Sequence, residues 1–211
     1  AVSCKLQNNK KSLYVNCMSQ DKNRKSSHKN KEKAMIKKKL LIAYYSRAGQ
    51  NYADGGIVDL AVGNTAVVAG KIKQLTGADL FQIKTIITYP IDYHETTEVA
   101  KKELRDNARP ELTDAVANLA DYEVIILGYP NWWGTMPMAV YTFLESGDFS
   151  GKAILPLCTH EGSGMGRSAK EIKKLCPNAK VSDGLAIVGS SVHNADKAIG
   201  QWLMKEGVVT K

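Results

Sequence analysis

Two continuous apolar runs, Leu40-Leu-Ile-Ala-Tyr-Tyr45 and Tyr122-Glu-Val-Ile-Ile-Leu-Gly128, constrain this chain more than anything else in it. A strand with apolar side chains on both of its faces must be covered on both faces, which is the condition of a parallel strand inside a layered α/β sheet. Leu80-Phe-Gln-Ile83, Lys152-Ala-Ile-Leu-Pro-Leu-Cys158 and Leu185-Ala-Ile-Val188 read as three further strands. Pro156 would break a ladder bond unless it sits at an irregularity.

Segments of helical period separate these strands. Val68, Ile72 and Leu75 lie at i, i+4 and i+7 with Gly77 as a stop. Val99 to Leu104, and then Leu112, Val116 and Leu119, read as two more helical faces separated by Arg109-Pro110. Pro137 opens a helix over Met138 to Leu144, and Ser168 to Cys176 carries Ile172 and Leu175 inward. Asn194 is placed to cap a last helix bearing Ile199, Trp202 and Leu203. Five strands alternating with helices, joined by right-handed crossovers, predict an α/β doubly wound parallel sheet with helices on both faces.

The charge is unevenly distributed. The net charge is +8, but residues 1 to 39 hold 12 Lys and Arg against 2 Asp and Glu, whereas residues 40 to 211 hold 17 against 19. A nucleic-acid surface is therefore not expected of the folded part. Residues 1 to 36 read as a basic N-terminal extension, predicted to be disordered, and 37 to 211 as the domain. No apolar run reaches the roughly 18 residues of a membrane span. Cys4, Cys17, Cys158 and Cys176 form no CxxC and show no metal-ligand spacing, which fits a reducing, cytoplasmic compartment. An alternative takes Ala1-Val-Ser-Cys4 as the remnant of a lipoprotein junction, lipid-anchored through Cys4.

In such a sheet ligands bind beyond the carboxyl ends of the strands, where the strand order reverses. Three loops follow from this. The first is Ser46-Arg-Ala-Gly-Gln-Asn-Tyr52, continued after an interval by Gly63-Asn-Thr65 at a helix start. Small residues, hydroxyls and a helix N-terminus suit a phosphate, and capping by Asn64 or Thr65 would use the same residues. The second is Tyr129-Pro-Asn-Trp-Trp-Gly-Thr-Met-Pro137, in which neighbouring Trp132 and Trp133 point different ways, so that one can stack on a planar ligand. The third is Thr159-His-Glu-Gly-Ser-Gly-Met-Gly-Arg-Ser168, whose glycines allow close backbone approach. It is not a dinucleotide fingerprint, and Gly147-Asp-Phe-Ser-Gly-Lys-Ala153 is not a P-loop, so triphosphatase chemistry is disfavoured.

Taken in order, these loops resemble those of the flavodoxins, in particular the flavodoxin-like proteins of bacteria. The resemblance, not the periodicity, supplies a strand order of 2-1-3-4-5 with FMN at the switch point. It implies that Ser46, Ala48, Asn64 and Thr65 hold the FMN phosphate, with Arg47 in the same loop counted among the cofactor contacts. It implies too that Pro130, Asn131, Trp132, Trp133 and Gly134 on one side, and Thr159, His160, Glu161, Gly162 and Gly164 on the other, flank the isoalloxazine ring. The chain departs from the family at Gln50 to Val62, where Asp54-Gly-Gly56 reads as the tip of a hairpin inserted between serine and glycine-asparagine-threonine.

Two functions follow from the resemblance. One is an electron carrier between redox partner proteins; the other is a small FMN-dependent oxidoreductase with its own quinone or nicotinamide substrate. The carrier ranks first, because an aromatic face against the ring disfavours the charge of the fully reduced anion and so lowers the potential.

Overall fold

In the first strand, β1 (Leu40–Tyr44), Ile42 faces one side of the sheet while Leu41 and Ala43 face the other, and all three are buried. That burial requires neighbours on both edges as well as layers above and below. β1 lies between β4 (Asp79–Gln82) and β5 (Val124–Pro130), parallel to both, in a computed structural model that describes residues 39–210. The basic extension assigned to 1–36 and the proposed anchor at Cys4 lie outside the described residues.

β5 pairs in parallel with β6 (Ala153–His160), which carries a divided outer strand, β7 (Lys180–Val181) and β8 (Leu185–Val188). Counting β7 and β8 as one, the order of the parallel strands is 2-1-3-4-5. The division explains Pro156. Ala153 and Ile154 pair with β7 and Leu157 to His160 with β8, so Pro156 falls in the gap between the two pairings, where no ladder bond is required of it.

Helices cover both faces. α1 (Asn64–Thr76) and α5 (Asp196–Lys205) bring Val68, Ile72, Ile199, Trp202 and Leu203 onto Ile42, Ile126 and Leu157. α2 (Tyr93–Arg105), α3 (Met138–Glu145) and α4 (Ser168–Leu175) cover the opposite face, where Phe143, Leu144 and Ile172 meet Leu41, Ile125 and Leu127. Full burial of each such side chain contributes about 1.5 to 3 kcal/mol. Among the described residues no helix is long and apolar enough to cross a membrane.

The predicted hairpin is present as β2 (Gly49–Ala53) paired antiparallel with β3 (Gly56–Leu60). Asp54 and Gly55 between them have φ of 49° and 82°, the two positive values of a type I′ turn.

Three expectations are corrected. Leu75 is 52% exposed, because only Val68 and Ile72 of its stripe reach the sheet. The segment carrying Leu112, Val116 and Leu119 is not an α-helix: Ile86 N–H donates to the Glu111 carbonyl and Thr113 N–H to that of Lys84, drawing the backbone into pairing after β4. Its apolar residues still pack on the core, so their spacing reported burial and not helix. Asn194 does not cap the last helix; a 3₁₀ segment, Gly189–Asn194, runs into it, and Ala195 holds the cap position.

Candidate functional site

From β1 the chain crosses to β4 on one side, and from β5 to β6 on the other, so a crevice opens beyond Tyr44 and Gly128, which are paired in register. It holds a cavity of about 240 Å³. Ten of the fifteen residues singled out from sequence line it: Ser46, Arg47, Asn64 and Thr65 from the first loop and α1, Pro130, Asn131 and Trp132 from the second loop, and Thr159, His160 and Glu161 from the third.

At one end lies the start of α1. Gly63 holds the cap position without a side-chain bond, and Ser46 Oγ, twenty residues away, accepts the Ala66 N–H at 3.1 Å. The N–H groups of Asn64 and Thr65 remain as the orphan donors that a helix start leaves. The Thr65 hydroxyl does not join them. It is buried and shares a hydrogen bond of 2.8 Å with the equally buried Thr159 hydroxyl, tying α1 to β6. Thr65→Val is therefore expected to leave the Thr159 hydroxyl unpaired at a cost of about 1 to 3 kcal/mol. Adding Thr159→Val should recover part of that loss in urea unfolding, whereas strictly additive costs would mean that the two hydroxyls act independently.

At the other end the second and third loops are laced together by Asn131. Its backbone N–H donates to the Thr159 carbonyl at 2.8 Å, its Nδ2 to that of Gly164 at 2.8 Å, and its Oδ1 accepts the Gly134 N–H at 3.0 Å. Trp132 stands edge-on to Tyr45 and Tyr89, with ring centroids 5.4 and 5.1 Å away, and Tyr89 in turn donates to Glu103 at 2.7 Å. Trp133, with φ at 54°, points the other way: it is 45% exposed and its Nε1 donates to the Thr97 carbonyl on α2. The structure thus separates the two tryptophans and brings only Trp132 to this cavity.

Ala48, Gly134, Gly162 and Gly164 also stay out of the lining. Ala48 is exposed, and the three glycines shape the loops through the Asn131 bonds and through the Gly162 N–H, which donates to His160 Nδ1 at 3.0 Å. Ser163, inside the third loop expected from Thr159 to Gly164, lines the cavity as well; the residues missed from sequence are Asn51 and Tyr52 of the hairpin, Tyr93 and Gly189. Gly189 directly follows β8, so the carboxyl end of this outer strand also borders the cavity. A methyl group there would overlap Asn64 Nδ2 and Glu161 Oε1, which close on it from either side. No cluster suited to a metal ion occurs among the described residues.

A family model described as flavodoxin matches residues 57–205. The chain belongs to the flavodoxin family. A crystal structure from Bacteroides eggerthii, assigned as a flavoprotein, is 29% identical, with a TM-score of 0.65 over 82% of this chain and 99% of that one. A second, from Bacteroides uniformis and similarly assigned, is 27% identical, with a TM-score of 0.62 over 79% and 98%. A flavoprotein from Lactobacillus acidophilus, solved in complex with FMN, has the same fold at 22% identity, with a TM-score of 0.56 over 74% and 97%. Among curated protein sequences none matches.

Within this flavodoxin-family domain the inserted hairpin is tied down at its base. Arg47 Nη1 donates to the Gln50 carbonyl, and Nη2 donates to those of Pro90 and Ile91 at 2.6 Å each. Gln50 Oε1 accepts the Tyr93 N–H at 3.0 Å, so the hairpin helps to cap α2. Burial lowers the Arg47 pKa, and three of its five N–H groups are held by carbonyls. Tyr52 and Tyr93, with ring centroids 6.3 Å apart, bring the hairpin and α2 together at the mouth of the cavity.

Proposed function

We propose that this flavodoxin-family protein binds FMN in the switch-point cavity and carries electrons between redox partner proteins. The observation that carries the reading is the arrangement of that cavity, with unpaired backbone donors at the start of α1 and an indole wall at the far end. The Asn64 and Thr65 N–H groups, reinforced by the positive end of the α1 dipole, suit a phosphate dianion. Ser46 adds to them: because its oxygen accepts from Ala66 N–H, its own proton is left to donate. No lysine or arginine needs to neutralise the phosphate, and Arg47 is turned to the carbonyls of the hairpin and the Pro90 loop.

FMN, when bound, supplies a centre that takes up and releases electrons singly or in pairs. The protein's part is to orient it and set its potential. Trp132, braced by Tyr45 and Tyr89, presents a fixed apolar wall that disfavours added negative charge beside it. The exposed Gly162 and Ser163 leave the third loop open to solvent, where a partner can approach.

Flavin released by heat from the purified protein is expected to be FMN, and FAD would overturn the cofactor assignment. Reduction should require a partner reductase. Steady oxidation of NADH or NADPH by a quinone, with no such partner present, would overturn the carrier assignment.

A further inference from the structure

Beside the switch-point cavity, and sharing Arg47, Asn51, Tyr93, Asn131 and Trp132 with it, lies a larger one of about 340 Å³. Its remaining walls are Thr96, Thr97 and Ala100 of α2 and the outward-turned Trp133. The volume falls in the range of small-molecule sites. This cavity exists because of two features already described: the hairpin that carries Asn51 and the positive φ that swings Trp133 away from Trp132.

Its chemistry is distinctive. Two indoles face it, Trp132 held by its aromatic neighbours and Trp133 by the Thr97 carbonyl, so both surfaces are fixed before any ligand arrives. Arg47 lies in the wall, no carboxylate among the described residues forms an ion pair with it, and two of its N–H groups remain uncommitted. The Lys101 ammonium, outside the lining, stands 5.3 Å over the Trp133 ring. No acidic side chain lines the cavity.

We propose that this outer cavity is a second ligand site, for a planar aromatic anion whose ring lies against the indoles and whose carboxylate or phenolate oxygen faces Arg47. The inference rests on the FMN reading only for what the ligand would adjoin.

The test is calorimetric titration of the FMN-loaded protein with 2-naphthoate and with its neutral counterpart 2-naphthamide. The naphthoate should bind with one-to-one stoichiometry, and the amide roughly tenfold more weakly, since it lacks the charge. Ala100→Leu and Thr97→Leu each fill the outer cavity from α2 without touching the switch-point cavity. Each should weaken the naphthoate at least roughly tenfold while the FMN affinity stays within about twofold. No saturable binding, equal binding of the amide, or indifference to a folded filling variant would overturn the proposal. Displacement of FMN by the naphthoate would also overturn it, by placing the ligand in the first cavity. If the protein takes up no FMN yet binds the naphthoate as described, the FMN reading fails and the second site stands.

Discussion

Gly63→Ala is expected to cost about 2 kcal/mol of folding stability and to weaken FMN binding roughly 100-fold. The added Cβ would sit 2.7 Å from the Arg47 carbonyl carbon and would overlap the Arg47 oxygen and Ser46 Oγ. Backbone cannot rotate out of the way as a flexible side chain can, so the first loop must lift from α1. Lifting it breaks the Ser46 bond to Ala66 N–H and withdraws the Ser46 hydroxyl from the donors of Asn64 and Thr65. Gly70→Ala, in the same helix, is the control. Nothing lies within 4 Å of its added Cβ, so it should stabilise by about 0.5 to 1 kcal/mol and leave FMN affinity alone. Fluorescence titration with FMN and urea unfolding of both variants decide the matter. A folded Gly63→Ala protein with undiminished FMN affinity would show that the phosphate is held elsewhere.

Gly63 was legible in the sequence as one of the small residues of a phosphate loop, but not as the point where the first loop closes on α1. The strands were legible because a run such as Ile125-Ile126-Leu127 leaves no face for water, and burial on both sides follows. Pro156 was legible as an irregularity but not as the junction of two outer strands, since the partner sequences at 180–181 and 185–188 carry no mark of their shared edge. The Leu112, Val116 and Leu119 spacing misled because periodicity reports which side chains are buried and says nothing of where backbone hydrogen bonds go. The site divides along the same line. Its loops were found by composition, but the Thr65 hydroxyl finds its partner 94 residues away, and the choice between Trp132 and Trp133 turns on a single positive φ. Neither is encoded locally.

Above pH 9 stability is expected to fall by as much as ~1.4 kcal/mol per pH unit for each of two buried thiols. Burial pushes Cys158 up to about 12 and Cys176 up to about 11, from an ordinary 9.0. Between pH 9 and those values the folded protein keeps protons that the unfolded chain releases. The stabilisation is therefore complete below pH 9 and is lost as pH rises, through about 11 for Cys176 and about 12 for Cys158. Tyr45, Tyr89 and Tyr129, all raised above 10.0 chiefly by burial, act in the same direction above pH 10. Against a total of about 5 to 15 kcal/mol, these slopes predict cooperative alkaline unfolding. The effect also reaches the site, since the Cys158 thiol lies 3.5 Å from the Gly164 carbonyl, which Asn131 binds as well. FMN release should follow the unfolding transition. Urea midpoints measured from pH 8 to 11 should decline steeply. In the Cys158→Ala/Cys176→Ala protein they should start lower, through lost packing, but fall more gently between pH 9 and 10. Peptide mapping after iodoacetamide at pH 8 should find Cys158 and Cys176 unmodified until urea is added. Midpoints that stay level to pH 11, or labelling of either thiol in the native protein, would show that these side chains are not buried as described.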